Sequence, residues 1–263
     1  MNIFTNKKSN ILFMILGGFF VCNAVVAELI GAKIFSFEKT FGLKPLDISI
    51  FGQAHLSLNL TTGTLMWPFI FVITDIINEY YGKKGVRFLS YLTVALIAYT
   101  FCMIFAAMNL APADVWLAIN NNIQPNINVA FQQIFGQGMN VIIGSITAFL
   151  ISQWVDMTIF HYLRHRLREK NLGKRALIST IFSQLIDSFL VSFIAFYLLG
   201  NWSLALLLAI LVVSYPFKCL VAIVMTPVLY FVHYAIEKYL GEELATQLKA
   251  AAKSSNGAIE NLS

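Results

Sequence analysis

The chain has 263 residues, 58% of them hydrophobic and only 12% charged, with a mean hydropathy of +0.73. Soluble domains carry about 25% charged residues, so a water-facing globule is excluded, as are disorder, collagen and coiled coil. The net charge of +5 comes without a basic stripe interleaved with exposed aromatics, so no nucleic acid is expected as a partner, and the composition points to a polytopic all-α protein whose surroundings are the lipid bilayer.

Six apolar runs of spanning length are expected in chain order. Residues 11–27 hold no charge and continue past Glu28. Lys7 and Lys8 before this run, and Val25-Val26-Ala27 within it, imitate a secretory signal, but the five spans that follow favour a first membrane helix. Residues 60–77 make the second span, with Pro68 expected to bend it and Asp75 near its end. Residues 88–108 are a third, uncharged span, and 139–155 a fourth that runs on to Phe160. Residues 176–199 carry Asp187, and 204–236 carry Lys218. The link between the last two is so short that they must be antiparallel neighbours.

Between the spans, residues 36–59 show short alternation that suits a small hairpin, and 111–137 read as an Asn- and Gln-rich irregular loop. The division expected is a six-helix transmembrane unit over 1–240 and a polar C-terminal segment over 241–263, a short helix and then a tail. Fourteen of the 18 Lys and Arg residues fall on one side if the N-terminus is cytoplasmic. By the positive-inside rule both termini then face the cytoplasm, and the basic loop 164–175 serves as a topology anchor.

Chemistry-bearing motifs are few. HExxH, a Walker A loop, a GxSxG elbow and a GxGD partner for Asp75 are absent from the sequence. The histidines (His55, His161, His165, His233) sit outside the spans or near their ends, and Cys22, Cys102 and Cys219 are scattered through apolar runs, where inert buried thiols are expected. No enzyme activity, metal or cofactor is therefore expected.

The informative residues are polar groups inside apolar spans, because a charge at the bilayer centre costs about 2.5–3.5 kcal/mol on insertion scales and has to face a partner or a cavity. Asp187 lies about 16 Å into its helix, at 1.5 Å per residue. Lys218 enters from the other side on the neighbouring helix, so the two reach similar depth. They make either a buried ion pair that registers two helices or the polar floor of a cavity. Gln184 shares the Asp187 face. Asp75 and Glu79 stack on one helix face and repel unless a cation, water or ligand intervenes, Lys83 being the nearest candidate for Glu79. Asn23 and Glu28 are both free to face the bundle from the first span. Gly144, Ala148 and Ser152 form a small-residue stripe leading to Asp156, which suits close helix packing.

The string PFIFVITDIINEYYGKK at residues 68–84 resembles the signature of the queuosine-precursor transporter family, formerly called vitamin uptake transporters. SQWVD at 152–156, STIFSQLID at 179–187, YPFK at 215–218 and TPVLY at 226–230 are similar to it in the same order, so that the resemblance covers about residues 11–235. Two positions depart: Glu28 stands where many members have Lys, and Asn140 where many have Arg.

The resemblance implies an inner (cytoplasmic) membrane importer of 7-deazaguanine bases, the 7-cyano or 7-aminomethyl precursors or queuine, for salvage into tRNA queuosine. It also implies a fold like the six-helix substrate-binding subunits of energy-coupling-factor transporters. The alternative is a binding subunit for another heterocycle or vitamin that depends on a separate ATPase. A homodimer and an energising partner are both compatible with it. A guanine-type base presents N1–H and a 2-amino group side by side, which one carboxylate can accept together. Asp187 or Asp75 suits that role, Gln184 or Lys218 the donation to O6, and Trp67 the ring face. Asn23 and Glu79 complete the candidate substrate-binding set.

Overall fold

The computed structural model describes residues 6–122, 124–136, 139–167 and 171–260, the side chains of 139–141 and 254–260 excepted. In a bilayer the backbone polar groups must be satisfied within the segment, so long uncharged runs fold as helices. α1 (Lys7–Ile30) opens on Asn6, whose side chain accepts a hydrogen bond from the Lys8 amide. Next come β1 (Ile34–Ser36), the one-turn α2 (Phe37–Thr40), β2 (Ile48–Ile50), β3 (Gln53–Leu56) and β4 (Asn59–Thr61). β1 pairs antiparallel with β4, and β2 with β3. Two nested ribbons therefore cover one end of the bundle where a single hairpin was expected.

A 3-10 turn (Thr62–Leu65) leads into α3 (Trp67–Tyr80) and α4 (Gly82–Met108); the short α5 (Asp114–Ile119) and α6 (Ile127–Gly136) follow. The chain then forms α7 (Met139–Arg166), α8 (Leu172–Ser192) with a π-helical extension (Phe193–Leu198), α9 (Leu204–Leu240) and α10 (Glu242–Glu260). Among the described residues five helices, α1, α4, α7, α8 with its extension and α9, are long and apolar enough to cross a membrane. The chain is thus an all-α polytopic membrane protein. Outward-facing Met14, Phe19, Phe88, Tyr91 and Phe231 give the bundle an apolar exterior, while Phe20, Ile70, Tyr80, Phe149 and Phe160 fill its centre. Cys22 and Cys102 sit on that exterior and not in the core. An apolar run includes a lipid-facing side as well as a buried one, and composition does not tell the two apart.

α3 is the exception among the expected spans. Its 14 residues reach about 21 Å, short of a hydrocarbon core of about 30 Å. Pro68 is the reason. It does not bend a longer helix but stands in the first turn, where its missing N–H is no loss. The chain before it stays extended or 3-10. Even so, this composite segment runs antiparallel to α1 along its length. The Tyr81 hydroxyl donates to the Ser9 carbonyl near the start of α1 (2.8 Å), and a Cβ on Gly63 would lie 2.9 Å from the Ala27 carbonyl near its end.

Gly82 makes the sharp passage from α3 to α4 at φ +66°, and the Ala252 carbonyl of α10 would stand 3.0 Å from a Cβ there. Left-handed backbone costs an L-residue about 1–2 kcal/mol. Gly82→Ala is expected to lower stability by at least about that much, read as an earlier thermal transition in detergent. α10 is a packed element: Ala245, Leu248 and Ala252 are buried, and Lys249 pairs with Glu237 of α9. Within the polar C-terminal segment, Ala245, Leu248 and Ala252 of α10 thus form an apolar stripe against α3, α4 and α9.

The ribbon end has its own buried carboxylate. Glu38 is 3% exposed and accepts from the Leu58 amide (2.7 Å) and the Ser36 hydroxyl (3.1 Å). Burial alone pushes such a carboxyl up, but these donors outweigh it and hold Glu38 below the usual 4.5. A lowered folded-state value means that the stabilisation is fully present above the ordinary range and is lost as pH falls through the lowered value. Protection of the Leu58 amide, its exchange relative to the unstructured rate at the same pH, is therefore expected to fall on acidification below 4.5, and to be low already at neutral pH in Glu38→Ala.

Candidate functional site

A cavity of about 340 Å³ opens between α1, α3, α7, α8 and α9 beneath the ribbons, within the usual range of small-molecule sites. Its polar wall comes from four helices: Glu28 of α1, Ser145 of α7, Asp187 and Ser188 of α8, and Lys218 of α9. Trp67 at the start of α3 lines it, set against Phe149 and Phe71 at ring-centroid separations of 5.8 and 6.2 Å. Trp202, stacked on Phe196 at 4.5 Å, lines it from the other side. Phe196 reaches this wall from the π-helical stretch, a geometry that recurs at functional sites.

The Asp187–Lys218 ion pair that the sequence allows is not closed. The Lys218 ammonium donates to the Ser188 hydroxyl (2.6 Å), and Asp187 Oδ1 accepts from the Ser152 hydroxyl (3.4 Å). Each charge is held by a serine of α8 or α7 and turned towards the cavity. Short helix approach makes this possible: a Cβ on Gly144 would meet Ala195 at 3.2 Å, so the small-residue face of α7 lies directly on α8. Glu28 accepts from Ser145, also on that side of α7. With two carboxylates against one ammonium, the wall is acidic by one formal charge.

Of the residues singled out from sequence, Trp67, Gln184, Asp187 and Lys218 share a small pocket of about 20 Å³ adjoining the cavity floor. Asp75 lies further along α3, in a third pocket that Gln184 also lines. Asn23 is not brought to the cavity, because its amide donates to the Phe19 carbonyl of its own helix (2.7 Å).

Glu79 belongs to a different structure. It pairs with Arg175 (3.1 Å) and Arg164 (3.7 Å), all three nearly fully buried at the end of the bundle where α1 begins. Arg164 also donates to the carbonyls of Asn78 and Glu79 (3.2 and 3.1 Å), satisfying the C-terminal turn of α3, and to the Lys249 carbonyl of α10 (2.9 Å). Arg164 and Arg175, from the two ends of the basic loop, are therefore interior fasteners, and they take the place expected for Lys83. Burial removes water as a competitor, so a carboxylate there collects every cation within reach.

Glu28, expected to be free to face the bundle, was outside the candidate substrate-binding set, as were Ser145, Ser188 and Trp202. Glu28 carried a readable signal, a charge inside an apolar run. The serines carried none, since a lone hydroxyl in a span has many uses. Among the described residues no group of three or more His, Cys, Asp or Glu is placed to hold a metal.

Residues 61–232 match the family model described as "Putative vitamin uptake transporter". A Bacillus subtilis (strain 168) protein named "Probable queuosine precursor transporter" is 30% identical over 175 residues, which are 66% of this chain and 71% of that protein. No solved structure matches. The family match spans the segments that build the cavity from α3 to α9, and on it the chain belongs to the vitamin uptake transporter family.

Proposed function

We propose that this protein imports 7-deazaguanine bases, the precursors of tRNA queuosine, through the cavity under the ribbons. The observation that carries this reading is a carboxylate and an ammonium, Asp187 and Lys218, turned into one aromatic-walled cavity without a direct ion pair between them. The relative's name supports the substrate class. In this reading Asp187 accepts N1–H and the 2-amino group of the base. Lys218 or Gln184 donates to O6, and Trp67 covers the ring. Hydrogen bonds to charged groups contribute about 1.5–3 kcal/mol each, and a site built for them rejects bases that lack the donors.

The composite of β4, the 3-10 turn and α3 serves as the sixth crossing, because it parallels α1 from Gly63 to Tyr81. Six crossings put both termini on one side, which the basic residues assign to the cytoplasm of an inner-membrane protein. The bundle over 1–240 is then the transport unit, comparable to energy-coupling-factor binding subunits, with 241–263 as its cytoplasmic segment.

Binding is tested with purified protein in nanodiscs, titrating 7-cyano- and 7-aminomethyl-7-deazaguanine and queuine against intrinsic tryptophan fluorescence. Saturable quenching by at least one base, and none by adenine, is expected; equal response to adenine overturns the substrate class. Uptake into proteoliposomes holding this protein alone separates a self-sufficient carrier from a subunit that needs an ATPase. Because the wall is acidic by one charge, Glu28→Gln is expected to weaken the cationic 7-aminomethyl base about tenfold relative to the neutral 7-cyano base, the loss of one charged contact. The ratio of the two dissociation constants checks it.

A further inference from the structure

Two narrow pockets continue from the cavity floor along the seam of α3, α8 and α9. The first, about 20 Å³, is bounded by Trp67, Phe71, Gln184 and Lys218. The second, about 30 Å³, is bounded by Phe71, Gln184, Thr180 and Asp75. Pro68, Phe71 and Gln184 line both, so they are successive chambers of one path separated by those side chains. Each is large enough for a water, for which about 10–15 Å³ suffices, and far too small for a bicyclic base.

At the end of this path stands Asp75. It is 4% exposed, and its Oδ1 has no hydrogen-bond partner. A buried carboxylate oxygen left unpaired is costly and calls for an explanation. Asn78, one turn further on, is fully buried with both side-chain polar atoms likewise unpartnered. Asp75, which lines the second chamber, thus offers a free acceptor at the end of the path.

We propose that Asp75 is a second, transient station for the substrate, reached from the cavity past Gln184 when α9 swings away from α3. The inference rests on the substrate reading above and adds a place on the route. The chemistry repeats that of the cavity: a carboxylate for paired N–H donors, with the Thr180 hydroxyl and the Gln184 amide beside it. Gln184 touches both chambers, so it can follow the base from one carboxylate to the next. The wall that must move is α9, which contributes Ala222, Met225, Thr226 and Leu229 to the second chamber. Pro216 and Pro227 lie inside this helix. Each removes a backbone hydrogen bond, which makes α9 easiest to bend beside the route. Beyond Asp75 the Glu79–Arg164–Arg175 cluster and α10 close the path.

Equilibrium binding and proteoliposome uptake, measured on the same preparations, decide it. Asp75→Asn is expected to lower uptake tenfold or more while the cavity still binds base within threefold of the unmodified affinity. Thr180→Val, which touches only the second chamber, is expected to slow uptake severalfold with binding unchanged. If Asp75→Asn keeps normal uptake, or loses binding in parallel with uptake, the second station is overturned while the cavity reading stands. Should Asp75→Asn not fold, Thr180→Val decides in the same way, normal uptake overturning the proposal. Absence of binding by the unmodified protein overturns the substrate reading, and the second station with it.

Discussion

Asp187→Asn is expected to weaken base binding on the order of 100-fold, or about 2.7 kcal/mol. The carboxylate lines the cavity and its Oδ1 is steadied by the Ser152 hydroxyl. Asparagine keeps the size and replaces one acceptor with an N–H that faces an N–H of the base. One charge-assisted bond is lost outright and the other becomes neutral, and the removed charge no longer offsets Lys218. Titration of tryptophan fluorescence reads the affinity directly, since Trp67 and Trp202 both line the cavity. An affinity within threefold of the unmodified protein would place the recognition elsewhere, with Glu28 the next carboxylate to test.

The second large effect concerns stability. Glu79→Gln strands the Arg175 guanidinium, which is 0% exposed, while Arg164, 3% exposed, keeps its three backbone carbonyls. Breaking a buried ion pair by removing one partner costs about 3–5 kcal/mol, because the remaining charge stays out of water without compensation. Arg175 suffers this loss most: its Nη2 pairs with Glu79 at 3.1 Å, and its Nε and Nη1 have no hydrogen-bond partner. The double variant Glu79→Gln with Arg175→Met is expected to recover most of the stability, since the stranded charge goes too and the methionine can fill the space against Phe160. Thermal unfolding in detergent compares the three proteins. A single variant as stable as the parent would mean that the cluster is solvated and contributes little.

The two results separate roles that proximity in sequence conflates. Asp75 and Glu79 are one helical turn apart and looked alike as carboxylates in an apolar span. In the structure the first lines a chamber with an unpartnered oxygen, and the second ties α3 to α7, α8 and α10 through two arginines. Helical spacing puts them on one face, but the cations that distinguish them come from residues 164 and 175, far along the chain.

Sequence alone was enough for the membrane class, for most of the spanning segments and for the pairing of the last two helices. These follow from local quantities: the length of an apolar run, the absence of charge within it and the shortness of a link. It also pointed to Asp187, Lys218 and Gln184, because a polar group in a span is costly enough to need a reason. Tertiary structure decided which of these meet. It placed Trp67, Asp187 and Lys218 around one cavity, added Glu28 from the opposite helix, and turned Asn23 back onto its own backbone. It also showed Pro68 starting a short helix where a bent long one was expected. A side chain's partners depend on helix rotation and close approach, which here are set by small residues such as Gly144 and by packing across distant segments, and neither is written in the hydropathy of a single run.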